Sequence, residues 1–302
     1  MNTEVISAEI QTNKTYIFSF SRTVVQYMIG FSKCVIHYPT RDHHVKEITI
    51  DLKHSNQSDN EVLVKPILIM KDGSENIQSE ESFVTVVVIA TIGSGNPNIY
   101  LMNNVKTDIS YSVPVESASY LKQALMFSTV QFPDIDHHLC KYCSNAESIF
   151  DFSTFMIKGD SFISDHGNNS GRGQILASVI ICDSTDQRVF CADFSSETIG
   201  NSGAIYLGEM PPGVDADDFQ FAVFLNGFQV SFGTDKDDHH AYKIEVSAEI
   251  SKKEIIQNNF CAEINLKSFL TDNGKHGEVN KTNIPHNSVS GFVVAINNKV
   301  YQ

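Results

Sequence analysis

The sequence predicts an all-β protein of three tandem β-sandwich modules, each of about 100 residues, arising from internal triplication. Three observations predict it. First, the triplet Asp-His-His occurs three times, at Asp42-His43-His44, Asp136-His137-His138 and Asp238-His239-His240, with spacings of 94 and 102 residues. Six of the eleven histidines lie in these pairs, so the recurrence marks a repeated unit. Second, the apolar runs are short and rich in Val, Ile, Phe and Tyr, the residues that fit a pleated, half-buried surface. Third, turn signals interrupt these runs every 8–12 residues or so, and no stretch carries a convincing helical period.

The same order of elements surrounds each triplet. An apolar strand comes first: Tyr27–Tyr38, Leu125–Phe132 and Phe221–Phe232. Just before the middle one begins in earnest, Leu121–Met126 admits a helical turn instead. A second strand leaves the triplet directly: Val45–Leu52, Leu139–Cys143 and Ala241–Ile250. A third ends in a turn: Val62–Met70 before Lys71-Asp72-Gly73, Phe150–Ile157 before Lys158-Gly159-Asp160, and Phe260–Leu270 before Thr271-Asp272-Asn273-Gly274. The most apolar strand follows, at Phe83–Thr91, Ile175–Cys182 and Val289–Ile296. A short last strand closes each unit, at Asn98–Met102, Arg188–Ala192 and Lys299–Gln302. Linkers are expected near 103–108 and 195–203, with modules at 1–104, 105–197 and 198–302. A pseudo-threefold packing of the modules, imitating a homotrimer in one chain, is one arrangement that triplication allows.

Composition excludes several function classes. The formal net charge of −14 argues against nucleic-acid binding, which needs a basic patch to neutralise phosphates, and against docking on anionic lipid. The longest apolar runs are strand-length, so no membrane insertion is expected. The N-terminus lacks the basic and apolar regions of a secretory leader. The expectation is cytoplasmic synthesis, with release, if any, by a non-classical route. Six cysteines spread over 302 residues do not read as a disulfide framework.

Strand phase assigns roles within the triplet. Side chains alternate between faces, so His44 falls with Ile48, Ile50 and Leu52, and His240 with Ile244, Val246 and Ala248. His138, in a shorter segment, falls with Cys140 and Tyr142. Provided the strand is regular from the triplet onward, His44, His138 and His240 point inward as structural core histidines. Asp42, Asp136 and Asp238 end their turns by accepting bonds from amides two residues on. His43, His137 and His239 then point outward and become the candidate ligand-binding residues, with Tyr38, Phe132 and Phe232 as aromatic platforms.

Other motifs carry less. Aspartate and histidine ligate Zn²⁺ or Ni²⁺ well, but adjacent histidines on a strand diverge, so a metal site requires the three modules to converge. No cofactor or native metal is expected. Cys140 and Cys143 beside His137-His138 form half of a zinc pattern, with Cys182 and Cys191 as the only cysteines placed to complete it. Asp215, Asp217, Asp218, Asp235 and Asp237 read as solvated acidic loops. There is no Gly-x-Ser-x-Gly, and three copies of one motif suit an enzyme poorly. The expected function is therefore non-enzymatic: a multivalent recognition protein, carbohydrate-binding in the manner of a lectin, with a glycan or protein surface as partner. The rival is a structural, self-associating subunit of an appendage, inclusion or particle.

Overall fold

The computed structural model describes residues 2–297 except 75, 116–117, 152, 168, 184–188, 198–199, 210–214, 233–238 and 274–286. The expected strand at Lys299–Gln302, the loop residues Asp235 and Asp237, and Asp238 lie outside the described residues.

The chain is nearly all β. Its strands are β1 (Thr3–Gln11), β2 (Tyr16–Ser19), β3 (Val24–His37), β4 (Glu47–Ser58), β5 (Glu61–Lys71), β6 (Phe83–Ile92) and β7 (Ile99–Lys106). They continue with β8 (Ser110–Ser112), β9 (Ala118–Gln131), β10 (Lys141–Asn145), β11 (Glu147–Phe150), β12 (Thr154–Lys158), β13 (Ser161–Ser164) and β14 (Ser170–Asp183). The last are β15 (Val189–Ser196), β16 (Gly200–Glu209), β17 (Phe219–Ser231), β18 (Lys243–Ile256), β19 (Asn259–Thr271) and β20 (Ser288–Asn297). The helical turn allowed at Leu121–Met126 is instead the middle of β9, and much of the linker expected at 103–108 is β7.

Pairing follows one order, seen three times. One sheet runs β1-β6-β3-β18-β19-β16. A second run is β7-β14-β9-β4-β5-β2, and a third is β15-β20-β17-β10-β13; a β13–β14 contact fuses these two into one eleven-stranded sheet. All the pairings between these strands are antiparallel. In each run, three strands from one segment of the chain are continued by strands from another: β3 pairs β18, β9 pairs β4, and β17 pairs β10. The three cross-segment pairings close a ring.

β7 and β15 pair β14 and β20, the positions that β1 takes against β6. The turn Lys158-Gly159-Asp160 runs from the end of β12 to the start of β13, with Gly159 at the kink between them, whereas Lys71-Asp72-Gly73 follows the end of β5. Gly159 has φ +138°, and a Cβ there would lie 2.0 Å from the carbonyl oxygen of Asn145. Asp165 follows β13 as Asp72 follows β5.

The most apolar strands are apolar because both faces are covered. On β6, Val84, Val86 and Val88 join the larger core, while Val87 and Ile89 join a central cluster. On β20, Val293 and Ala295 face the larger core, while Phe292, Val294 and Ile296 join the same central cluster. Each such side chain contributes roughly 1.5–3 kcal/mol by leaving water. Gly30, Ala124 and Phe224, each eight residues before the aromatic that precedes its triplet, meet in the centre. A Cβ on Gly30 would lie 2.7 Å from Phe224 Cδ1 and 2.8 Å from Ala124 Cβ. The Phe224 ring, stacked on Phe292 at 5.0 Å, thus fills room that the two small residues leave.

Candidate functional site: three crossovers and a histidine trio

Each Asp-His-His lies where the chain leaves one run of strands for another, between β3 and β4, β9 and β10, or β17 and β18. The three crossovers are laced together. The Tyr38 amide donates to Tyr242 O at 3.0 Å, the Phe132 amide to Lys46 O at 3.0 Å, and the Phe232 amide to Cys140 O at 3.2 Å. Lys46, Cys140 and Tyr242 in turn donate their amides to Lys71, Ser164 and Thr271. The Val45 and His137 backbones exchange bonds at 2.9 and 3.0 Å, and His43 N donates to Ala241 O at 2.9 Å.

The strand is not regular from the triplet onward, so the phase expectation fails. The ladder strands begin only at Glu47, Lys141 and Lys243. The side chains that enter the core are Val45, Leu139 and Ala241, and the next are Ile48, Tyr142 and Ile244, three residues later rather than two. One extra residue in the crossover inverts the faces before it, as any one-residue slip must.

His43, His137 and His239, expected outward, are therefore mostly covered, with side chains 12%, 12% and 11% exposed. Each ring packs on the preceding aromatic: Tyr38–His43 at 4.7 Å, Phe132–His137 at 4.6 Å, Phe232–His239 at 4.9 Å between centroids. Each Nδ1 faces a carboxylate of its own segment: Asp72 at 3.2 Å, Asp165 at 3.0 Å, Asp272 at 3.0 Å. Tyr38, Phe132 and Phe232 are buried, and so offer no open platform.

Asp72, Asp165 and Asp272 are the residues that sequence reasoning missed. Asp72 accepts from the amides of Ser74 and Asn76 and from Asn76 Nδ2; Asp165 accepts from the Asn169 amide and Asn169 Nδ2. Burial pushes both carboxyls up, but the asparagine side chain, the backbone amides and the facing histidine together leave both below the usual aspartate range. The signal was present in the sequence: Asp-x-x-x-Asn at 72–76 and again at 165–169.

Asp42 and Asp136 reach across segments instead of closing their own turns. Asp136 Oδ2 accepts from Gly73 N at 3.1 Å, and Asp42 Oδ2 from Asn273 N at 3.5 Å. Each thus ties its crossover to the turn that carries another segment's histidine-facing aspartate.

The second histidines converge. The rings of His44 and His138 are 4.2 Å apart, those of His44 and His240 4.6 Å, and those of His138 and His240 4.5 Å. One nitrogen from each lies within 4.8 Å of the others. All three are half-buried. Burial, then the other two rings, lowers the His44 pKa. Asp136 Oδ2 stands 3.9 Å from His44 Nδ1, and an open cavity of about 520 Å³ adjoins, lined by Asp42, Asp72, Asp136 and Arg41 among others.

The cysteine cluster does not assemble. Among the described residues Cys140 and Cys143 belong to no group of three ligating side chains, and Cys182 and Cys191 lie against Tyr120. Burial raises the Cys140 and Cys143 thiol pKa values.

No family model matches the chain, and no curated protein does. Among solved structures it is weakly similar to the mavirus penton protein, at 9% identity over 98% of this chain and 99% of that one. The TM-score is 0.16, at which the likeness carries no argument about fold or function.

Proposed function

We propose that the chain is one module written three times about a pseudo-threefold axis, and that it serves as a non-enzymatic structural subunit that associates with further copies of itself. The observation that carries this reading is the ring of shared sheets. Each segment gives strands to its neighbour's sheet, so the repeats are joined to one another rather than displayed as independent binding heads. The outer edges fit the reading. β2 and β16 end their runs and carry exposed apolar residues, Tyr16 and Ile17 on one and Tyr206 on the other. Exposed apolar groups on an unpaired edge favour strand-to-strand association.

Light scattering over a concentration series tests this. Mass should rise above that of a single chain, more so at higher salt, because copies of charge −14 repel until screened. A single-chain mass at every concentration and salt level refutes it.

Carbohydrate binding is the second reading, and a different place supports it. A polar cleft of about 770 Å³ lies between β9–β10 and β17–β20, lined by Gln123, Asn145, Asp160, Asp193, Asn226 and Gln229 among others. Its counterparts do not match it. The one between β17–β18 and β3–β6 is only about 200 Å³. At the corresponding place beside β3 and β4, Tyr27 Oη bonds His54 Nδ1 at 2.7 Å. Multivalent recognition gains avidity from several competent sites, and the described residues at the two other places do not repeat this cleft. Glycan-array binding lost on Asn145→Ala and Asn226→Ala favours this second reading.

A further inference from the structure

We propose that His44, His138 and His240 form a binding site for one divalent transition-metal ion, Zn²⁺ by the chemistry of its ligands. The condition set by the sequence was that three crossovers converge, and they do, through the second histidine of each pair.

Three imidazoles from three segments already surround one point. A tetrahedral ion with metal–nitrogen bonds of about 2.0–2.1 Å sets its nitrogens about 3.3 Å apart. The present limit of 4.8 Å requires each ring to draw inward by a modest rotation, which half-exposed side chains can make. Three neutral nitrogen donors suit Zn²⁺, Ni²⁺, Co²⁺ and Cu²⁺ and serve Ca²⁺ or Mg²⁺ poorly, because hard cations take oxygen ligands.

Two further observations point to a ligand. His138 Nδ1 is buried and has no hydrogen-bond partner, a cost of about 1–3 kcal/mol if nothing satisfies it. The Asp42, Asp72 and Asp136 carboxylates around the adjoining cavity favour a cation, although Arg41 also lines it. The open side leaves the fourth position to water or a carboxylate. The ion would cross-link all three crossovers at the axis and so hold the ring of sheets closed. Binding requires only the folded chain, not assembly of copies.

The test uses untagged, full-length protein stripped with chelator. Zn²⁺ titrated calorimetrically should bind one per chain with Kd of about 10 µM or tighter, and should raise Tm by mass action. Co²⁺ should give visible bands of a nitrogen-rich, four- or five-coordinate site. His138→Gln and His44→Gln should abolish both signals, while His166→Gln, at an exposed turn residue, should leave them intact. Circular dichroism of the stripped variants establishes that they are folded. If one is not, ¹⁵N-histidine NMR of wild-type protein replaces it, with three imidazole resonances moving on Zn²⁺ addition. Absence of one-to-one binding, affinity only near millimolar, binding retained in folded His138→Gln, or unmoved imidazole resonances overturns the proposal.

Discussion

Gly30 sits where the central packing leaves no room for a methyl group. Replacing it with alanine places a carbon 2.7 Å from Phe224 Cδ1 and 2.8 Å from Ala124 Cβ, about 1 Å inside the 3.5–4.0 Å optimum for carbon pairs. Both neighbours are fully buried, and Phe224 is held by its stack on Phe292. The clash cannot be relieved by swinging a side chain into water. Overpacking of this kind costs about 1–3 kcal/mol. Gly30→Ala should therefore lower the urea midpoint without changing the slope, since the exposed surface on unfolding is the same. The decisive comparison is a cycle. In an Ala124→Gly, Phe224→Ala background both obstructing groups are gone, and Gly30→Ala should cost less than in wild type by more than the 0.3–0.5 kcal/mol or so within which independent sites add. Equal cost in the two backgrounds would refute the claim that these three positions share one space, and with it the central meeting of the three segments.

Two further outcomes follow from the crossovers. His43→Ala, His137→Ala and His239→Ala should each destabilise by about 1–3 kcal/mol, because a buried carboxylate loses its partner, with unfolding midpoints as the readout. A mere loss of binding at unchanged stability would contradict their buried, structural placement. The Asp72 and Asp165 carboxyls have folded pKa values below their unfolded ones. Their stabilisation is thus present above the unfolded aspartate range and is lost as pH falls through the folded pKa values. Unfolding midpoints should fall on acidification below about pH 4, and the fall should be shallower in Asp72→Asn and Asp165→Asn; an unchanged pH slope in both variants counts against the depression.

Strand type was legible because it is local. Runs such as Val84–Ala90 and Val62–Met70 carry their periodicity in adjacent residues, and the Asp-His-His recurrence exposed the repetition of the elements around it. The roles inside the triplet were not legible. A phase argument carries across a segment only if no residue is inserted, and Lys46, Cys140 and Tyr242 each stand between the crossover's core side chain and the first residue of the following strand, where the alternation breaks. The histidines expected at a partner surface are packed on Tyr38, Phe132 and Phe232, while those expected in the core meet one another half-buried, with His44 and His240 lining the open cavity. The turn sequence at Gly159 hid the likeness between Asp72 and Asp165, since it precedes β13 while Asp165 follows it.

By itself the sequence determined the all-β class, most strand positions and the threefold recurrence of the motif, since side-chain alternation and turn chemistry act over a few residues. Tertiary structure alone decided which strands pair across segments and that His44, His138 and His240 meet. Those contacts join residues about one or two hundred positions apart, and nothing in local periodicity encodes which distant edge a strand will complete.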